Sequence, residues 1–158
     1  MELLIRGGHL IDPAEGKDGL YDILVRDGVV AEVRAAAQPS ATICAEAETE
    51  GRQTAKRVIE AAGKYVMPGF IDLHVHLREP GFEYKETIAT GSRAAAAGGF
   101  TTICPMPNTK PPMDSPEKIR AFLKKAEAES SVHILPVGAI TIGQEGKVLA
   151  DIKGMAEA

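Results

Sequence analysis

Pro68-Gly69-Phe70-Ile71-Asp72-Leu73-His74-Val75-His76-Leu77-Arg78 decides how this chain is read. Phe70 to His74 reads as a β-strand, with Pro68-Gly69 as the punctuation in front of it. Residues two apart on a strand share a face, so His74 and His76 point the same way, their Cα atoms about 6–7 Å apart. Two imidazoles so placed can share a zinc ion at roughly 2.0 Å per Zn–N bond. Arg78 lies two residues further on and, on an extended backbone, projects toward the same face. A guanidinium there suits a substrate carboxylate, which it grips through two parallel hydrogen bonds. The alternative for Arg78 is a surface pairing with Glu79 or Glu83.

Downstream of this stretch, strands and helices alternate. Residues 85–97 read as an Ala-rich helix stopped by Gly98-Gly99. Phe100 to Cys104 is a second strand, ended by Pro105. Ser115-Pro116-Glu117 supplies an N-cap, a first-turn proline and an acid that favours the helix dipole. Ile119, Phe122, Leu123 and Ala126 then fall on one helical face. Val132 to Val137 is a third strand, and a last helix is expected from about Lys147, with Leu149, Ile152 and Met155 on one side. Three strand–helix units argue for parallel pairing. A closed (β/α)8 barrel needs eight such units, and three alone leave an apolar edge strand. The expected fold is therefore α/β, the first three βα units of a longer (β/α)8 barrel. Asn108, in Pro105-Met106-Pro107-Asn108-Thr109, sits in a proline-stiffened loop at a strand's carboxyl end. That is a usual place for a substrate-contacting amide, although an Asx-turn would also use it.

Upstream, the chain reads as β-structure. Leu3-Leu4-Ile5-Arg6 leads to a turn at Gly7-Gly8 and then to His9-Leu10-Ile11-Asp12. Tyr21 to Arg26 and Val29 to Val33 flank Asp27-Gly28, a strong hairpin signal. Residues 35–56 are rich in Ala, Glu, Thr and Gln without an apolar period, and read as a solvated loop or insertion. A short strand follows at Arg57-Val58-Ile59. The expected organisation is residues 1–66 as the amino-terminal part of a small β-sandwich domain and 67–158 as an incomplete barrel.

Composition excludes several function classes. The 158 residues are 44% hydrophobic and 25% charged, with net charge −4 and no basic block. Nothing there favours nucleic acid or an anionic membrane. No apolar stretch approaches the roughly 18 residues of a membrane span, and Met1 to Arg6 lacks a signal-peptide layout. Cys44 and Cys104, few and far apart, suit a reducing cytoplasm and do not argue for a disulfide. Glu83, Lys85 and Glu86 are expected to begin a helix with solvated charges. His9 and His133 read as structural, Asp151 as the polar face of the last helix, and Cys104 as a small buried filler.

The stretch from Pro68 through Arg78, continued by Glu79-Pro80-Gly81, resembles the signature of the dihydroorotases within the amidohydrolase superfamily. Lys85-Glu86-Thr87, the run from Ala94 to Gly99, and Met106-Pro107-Asn108-Thr109 match the same family in order. The amino-terminal β-region also resembles that family's small flanking domain. Allantoinases and hydantoinases share the Pro-Gly and H-x-H elements, whereas Arg78 and Met106 to Thr109 favour dihydroorotase.

The resemblance implies that His74 and His76 bind zinc, one ion or two. It implies that Arg78 and Asn108 grip the α-carboxylate of dihydroorotate or N-carbamoyl-L-aspartate, interconverted by reversible hydrolysis of a cyclic amide in pyrimidine synthesis. The bridging carboxylate or carbamylated lysine, further histidine ligands and the late-strand aspartate would lie beyond Ala158. No general base is therefore expected among these residues, and the chain alone is not expected to be a competent catalyst. Two other readings stay open: a non-catalytic dihydroorotase-like scaffold partnering aspartate transcarbamoylase, and a cyclic amidohydrolase acting on allantoin or a hydantoin. A homo-oligomer is compatible with each.

Overall fold

The computed structural model describes residues 2–36 and 57–158. Apart from Ala35 and Ala36, the loop expected over 35–56 lies outside the described residues, as does Cys44. The chain divides into two compact units, Met1–Pro68 and Gly69–Ala158.

In the first unit, β1 (Glu2–Asp12), β2 (Lys17–Arg26) and β3 (Val29–Ala35) pair antiparallel in sequence order. β4 (Arg57–Glu60) and β5 (Tyr65–Val66) add to β1 in parallel, making a five-stranded sheet. The Asp27-Gly28 hairpin is present, with both residues left-handed at φ 49° and 82°, as a type I′ turn requires. The turn expected at Gly7-Gly8 is absent. β1 runs straight through, and the pairing with β2 shifts register between Ile5 and Gly8. Gly7 takes φ 65° in this bulge and donates its N–H to Asp22 Oδ1 at 2.7 Å, so the extra residue is absorbed without ending the strand.

The second unit is built on a parallel sheet of β6 (Phe70–Val75), β7 (Phe100–Pro105) and β8 (His133–Ile134), in that order. Helix α1 (Ile88–Ala97) joins β6 to β7, and α2 (Pro116–Glu129) joins β7 to β8. A 3₁₀ turn (Ile142–Gln144) and a short α3 (Ile152–Ala156) follow. Ile119, Phe122 and Ala126 of α2 are buried as their spacing predicts, and they pack with Ile88, Ile103 and Met113 into the core. No helix among the described residues is long and apolar enough to cross a membrane.

Three expected boundaries move. The first helix begins at Ile88 because Thr87 and Thr90 form a reciprocal capping box, which leaves Glu83, Lys85 and Glu86 in the connection before it. The third strand is only His133–Ile134, since Pro136 has no N–H to continue the ladder. Its flanks still follow β7 through Leu135 N–H to Ile103 O and Val137 N–H to Pro105 O, both at 3.0 Å. The last helix begins at Ile152, where the Asp151 carboxylate caps Gly154 N–H at 2.9 Å. Asp151 is therefore a cap and not a residue of the helix's polar face. Leu149 lies outside this helix, bridged to Thr141 and exposed.

Candidate metal and carboxylate site

The candidate residues gather at the carboxyl ends of β6 and β7. His74 is on β6, and its N–H donates to Asp72 Oδ1 at 3.0 Å. His76 is one residue past the strand. The two rings lie side by side with centroids 5.2 Å apart and planes at 71°, His74 exposed and His76 half-buried. Leu77 turns the other way into the core against Gly91 of α1, where a Cβ would overlap it. That alternation keeps both imidazoles on the open face.

Asn108 joins them. Its Oδ1 lies 2.9 Å from His76 Nδ1. An amide oxygen only accepts, so this contact makes Nδ1 the protonated nitrogen and leaves Nε2 with a free lone pair for a metal. Asn108 then keeps its NH2 group as a donor for a further partner. The surrounding loop is held closely. Met106 N–H reaches Val75 O at 2.9 Å, Met113 N–H reaches Pro107 O at 3.1 Å, and Thr109 Oγ1 donates to Pro111 O at 2.7 Å. Asn108 is thus a rigidly mounted side chain on a loop beside the histidines.

Arg78 departs from its expected geometry. The extended backbone assumed for it is overturned: Arg78 is left-handed, with φ 63°. A non-glycine residue in that region costs roughly 1–2 kcal/mol locally, so neighbouring structure must hold it there. Neither acid considered as a surface partner is paired with it. Glu83 accepts Gly81 N–H at 2.8 Å, which holds its carboxyl below the usual carboxylate range. Glu79 is engaged elsewhere, with Lys125 and the N–H of Ile88.

Two buried acids escaped the sequence reading. Glu79, 4% exposed, pairs with Lys125 of α2 and accepts Ile88 N–H at 2.9 Å. The pairing raises the Lys125 ammonium above its ordinary pKa. Asp114 accepts Gly143 N–H at 2.7 Å and pairs with Lys118 of α2; the backbone bond first, then the lysine, hold its carboxyl low. The available signal was Lys118 and Lys125 themselves, two turns apart on one face of a strongly marked helix. Their buried partners are distant in sequence and carry no pattern.

His9 Nε2 contacts Asp18 Oδ1 at 2.6 Å in the first unit's sheet, and His133 is exposed at the start of β8. Cys104 is a buried free thiol. Lys85 lies over the rings of Phe82 and Tyr84, at 5.7 and 5.5 Å from their centroids. Among the described residues no three His, Cys, Asp or Glu side chains cluster as a metal cage would. His74 and His76 fit a zinc ion in donor type and arrangement but supply only two positions of its shell. A concavity of about 720 Å³ opens at the amino ends of β7 and β8, lined in part by Phe100, Glu127 and His133. It is at the opposite end of the sheet from the histidines, and in parallel α/β folds chemistry gathers at the carboxyl ends.

Comparison with known proteins bears on the family and the fold. A family model described as Dihydro-orotase-like matches residues 63–158. The chain is 49% identical over 149 residues to the dihydroorotase of Anaeromyxobacter sp. (strain K), covering 94% of this chain and 31% of that protein. It is 46% identical over 157 residues to the dihydroorotase of Trichlorobacter lovleyi, covering 99% and 34%. Among solved structures, the L-hydantoinase (dihydropyrimidinase) from Arthrobacter aurescens superposes with a TM-score of 0.72 at 29% identity, over 88% of this chain and 28% of that one. Dihydropyrimidinase from Brevibacillus agri gives 0.67 at 25% identity, over 89% and 28%. The chain thus spans about a third of the length of the curated relatives it matches. The fold is α/β, that of the opening βα units of a (β/α)8 amidohydrolase barrel preceded by part of a small β-domain.

Proposed function

The chain belongs to the dihydro-orotase-like family, and on that premise we propose that it is the amino-terminal part of a zinc-dependent dihydroorotase. The observation that carries this reading is His74 and His76 side by side on an open face, with Asn108 bonded to His76. In it, residues 1–66 open the small β-domain and 67–158 open the barrel. His74 and His76 would hold one or two zinc ions through nitrogen donors. When bound, zinc lowers the pKa of a ligated water toward about 7 and polarises the attacked carbonyl.

The chain's own side chains bind and orient. Asn108 fixes the ring of His76 through Oδ1 and offers its NH2 to the α-carboxylate of dihydroorotate or N-carbamoyl-L-aspartate. Arg78 takes the other side of that carboxylate with its planar fork. A proton-shuttling carboxylate belongs to the remainder of the longer protein, so these residues recognise substrate without completing the reaction. A cytoplasmic location, and assembly as a homo-oligomer or with aspartate transcarbamoylase, belong to the same proposal.

Hydantoinases are the second reading, favoured by the superpositions. Hydantoin and allantoin present no carboxylate where dihydroorotate does, so Arg78 would have no partner. The substrates decide between them. In the longer protein, Arg78→Ala should raise KM for dihydroorotate at least tenfold, on the order of one charge-assisted hydrogen bond lost. An unchanged KM, or preferential turnover of a hydantoin, defeats the dihydroorotase reading. Elemental analysis of the purified chain tests the metal half. Zinc should be present in the wild type and lost in the His74→Ala/His76→Ala double variant. The 158-residue chain with added zinc should not open dihydroorotate above background.

A further inference from the structure

We infer that Glu79 is a positioning residue, clamped by Lys125, that holds Arg78 and Asn108 at their mutual geometry. The inference rests on the carboxylate-binding role proposed for those two residues. Arg78 stands between two buried anchors, Leu77 at 4% exposure and Glu79 at 4%. Leu77 is in the apolar core. Glu79 is fastened at both carboxylate oxygens: Oε2 accepts Ile88 N–H at 2.9 Å and Oε1 takes the Lys125 ammonium. Between these two anchors Arg78 takes the left-handed conformation, at φ 63°. Arg78 O then accepts Phe82 N–H at 3.0 Å, which closes the turn.

The same anchor sets the second loop. Pro80, next to Glu79, accepts Lys110 N–H at 2.8 Å through its carbonyl. Gly81, at φ 95°, lies so close to Lys110 that a Cβ would overlap the Lys110 carbonyl oxygen. Lys110 is two residues past Asn108, so the depth at which Glu79 seats is transmitted to the amide beside His76. A carboxylate gripped from two loops needs the spacing between them set before it arrives. Glu79 touches no substrate in this scheme.

Two-dimensional NMR of the labelled full chain tests it. The readouts are the Arg78 amide and guanidinium signals, the Asn108 side-chain NH2 and the His76 ring nitrogens. In Glu79→Ala these should move, while signals of Ile103 and Phe122 in the core hold their positions. Glu79→Gln keeps an acceptor for Ile88 N–H and should restore most of them; Lys125→Met should move them by less than Glu79→Ala. Succinate, added as a dicarboxylate probe, should bind the Glu79→Ala chain about tenfold more weakly, the equivalent of one charge-assisted hydrogen bond. Unmoved Arg78, Asn108 and His76 signals in a Glu79→Ala chain that merely melts earlier overturn the inference. If Glu79→Ala does not fold, Lys125→Met decides by the same signals. A wild-type chain that ignores succinate defeats the carboxylate-binding role alone, because the resonance positions still report whether Glu79 sets the loops.

Discussion

Among the described residues of the first unit, Asp27 is left-handed together with glycines such as Gly7, Gly16 and Gly28 at turns or a bulge of one sheet; in the second unit, Arg78 and Gln144 are left-handed beside several glycines. The contrast is one of cause. Asp27 sits in a two-residue hairpin, whose turn geometry demands left-handed backbone at both positions. Gln144 has a similar local reason, since Glu145 N–H reaches Ile142 O at 3.3 Å across Gly143 and Gln144, both left-handed, whereas Arg78 has none. Each also stands beside a buried carboxylate or a residue bonded to one. Arg78 precedes Glu79, and Gln144 follows Gly143, whose N–H is held by Asp114. Both carboxylates are paired with lysines of one helix, Lys125 and Lys118. Local turn chemistry accounts for the left-handed backbone at Asp27 and at Gln144, whereas Arg78 stands out by having only its buried neighbours. Backbone held against its own preference is characteristic of sites where side chains must be aimed.

The sharpest way to break this comparison is to crowd one glycine of each kind. Gly28 is left-handed with open space around it, so Gly28→Ala should cost only the strain, about 1–2 kcal/mol. Gly81→Ala adds overlap with a backbone oxygen and should cost about 3 kcal/mol or more in denaturant unfolding. Equal losses would mean that the loops are not locked together.

Acid titration sharpens it next. Asp114 has its pKa lowered by the fold, so the unfolded chain binds its proton first as pH falls. The stability it contributes is complete above its ordinary pKa, below about pH 4 it begins to fade, and it is lost as pH passes the lowered value. Asp114→Asn should therefore be less stable at neutral pH and show a flatter acid limb. A parallel pair of curves would remove Asp114 from the loop's support.

The smallest expected effect concerns Arg78 itself. Glycine in a strand usually costs about 0.5–1 kcal/mol, as expected for Arg34→Gly in β3. Arg78→Gly should leave stability unchanged or raise it by up to about 1 kcal/mol, since the left-handed strain disappears. A loss as large as that of Arg34→Gly would show that Arg78 is held by its side chain and not by its neighbours.

Where the sequence reading was right, the cause is local. The Asp27-Gly28 hairpin, the N1 proline of α2 and its apolar face follow from residues within one or two turns of each other. The same holds for His74 and His76, which share a face because strands alternate. Where it was wrong, a competing interaction lay elsewhere. Gly7 is in a bulge because Asp22, across the sheet, takes its N–H. Arg78 leaves the extended path beside Glu79, which is bonded to a lysine 46 residues away. The last helix starts late because Asp151 caps it, although the apolar spacing from Lys147 pointed to an earlier start.

By itself the sequence determined the order of the elements, the parallel character of the second unit and the pair of histidines. These depend on periodicity, turn chemistry and side-chain type, all of which act over a few residues. Only the tertiary structure decided that Asn108 orients His76, that Arg78 turns back on itself, and that Glu79 and Asp114 anchor the loops. Each of those depends on groups brought together from distant segments, and burial makes their charges seek particular partners.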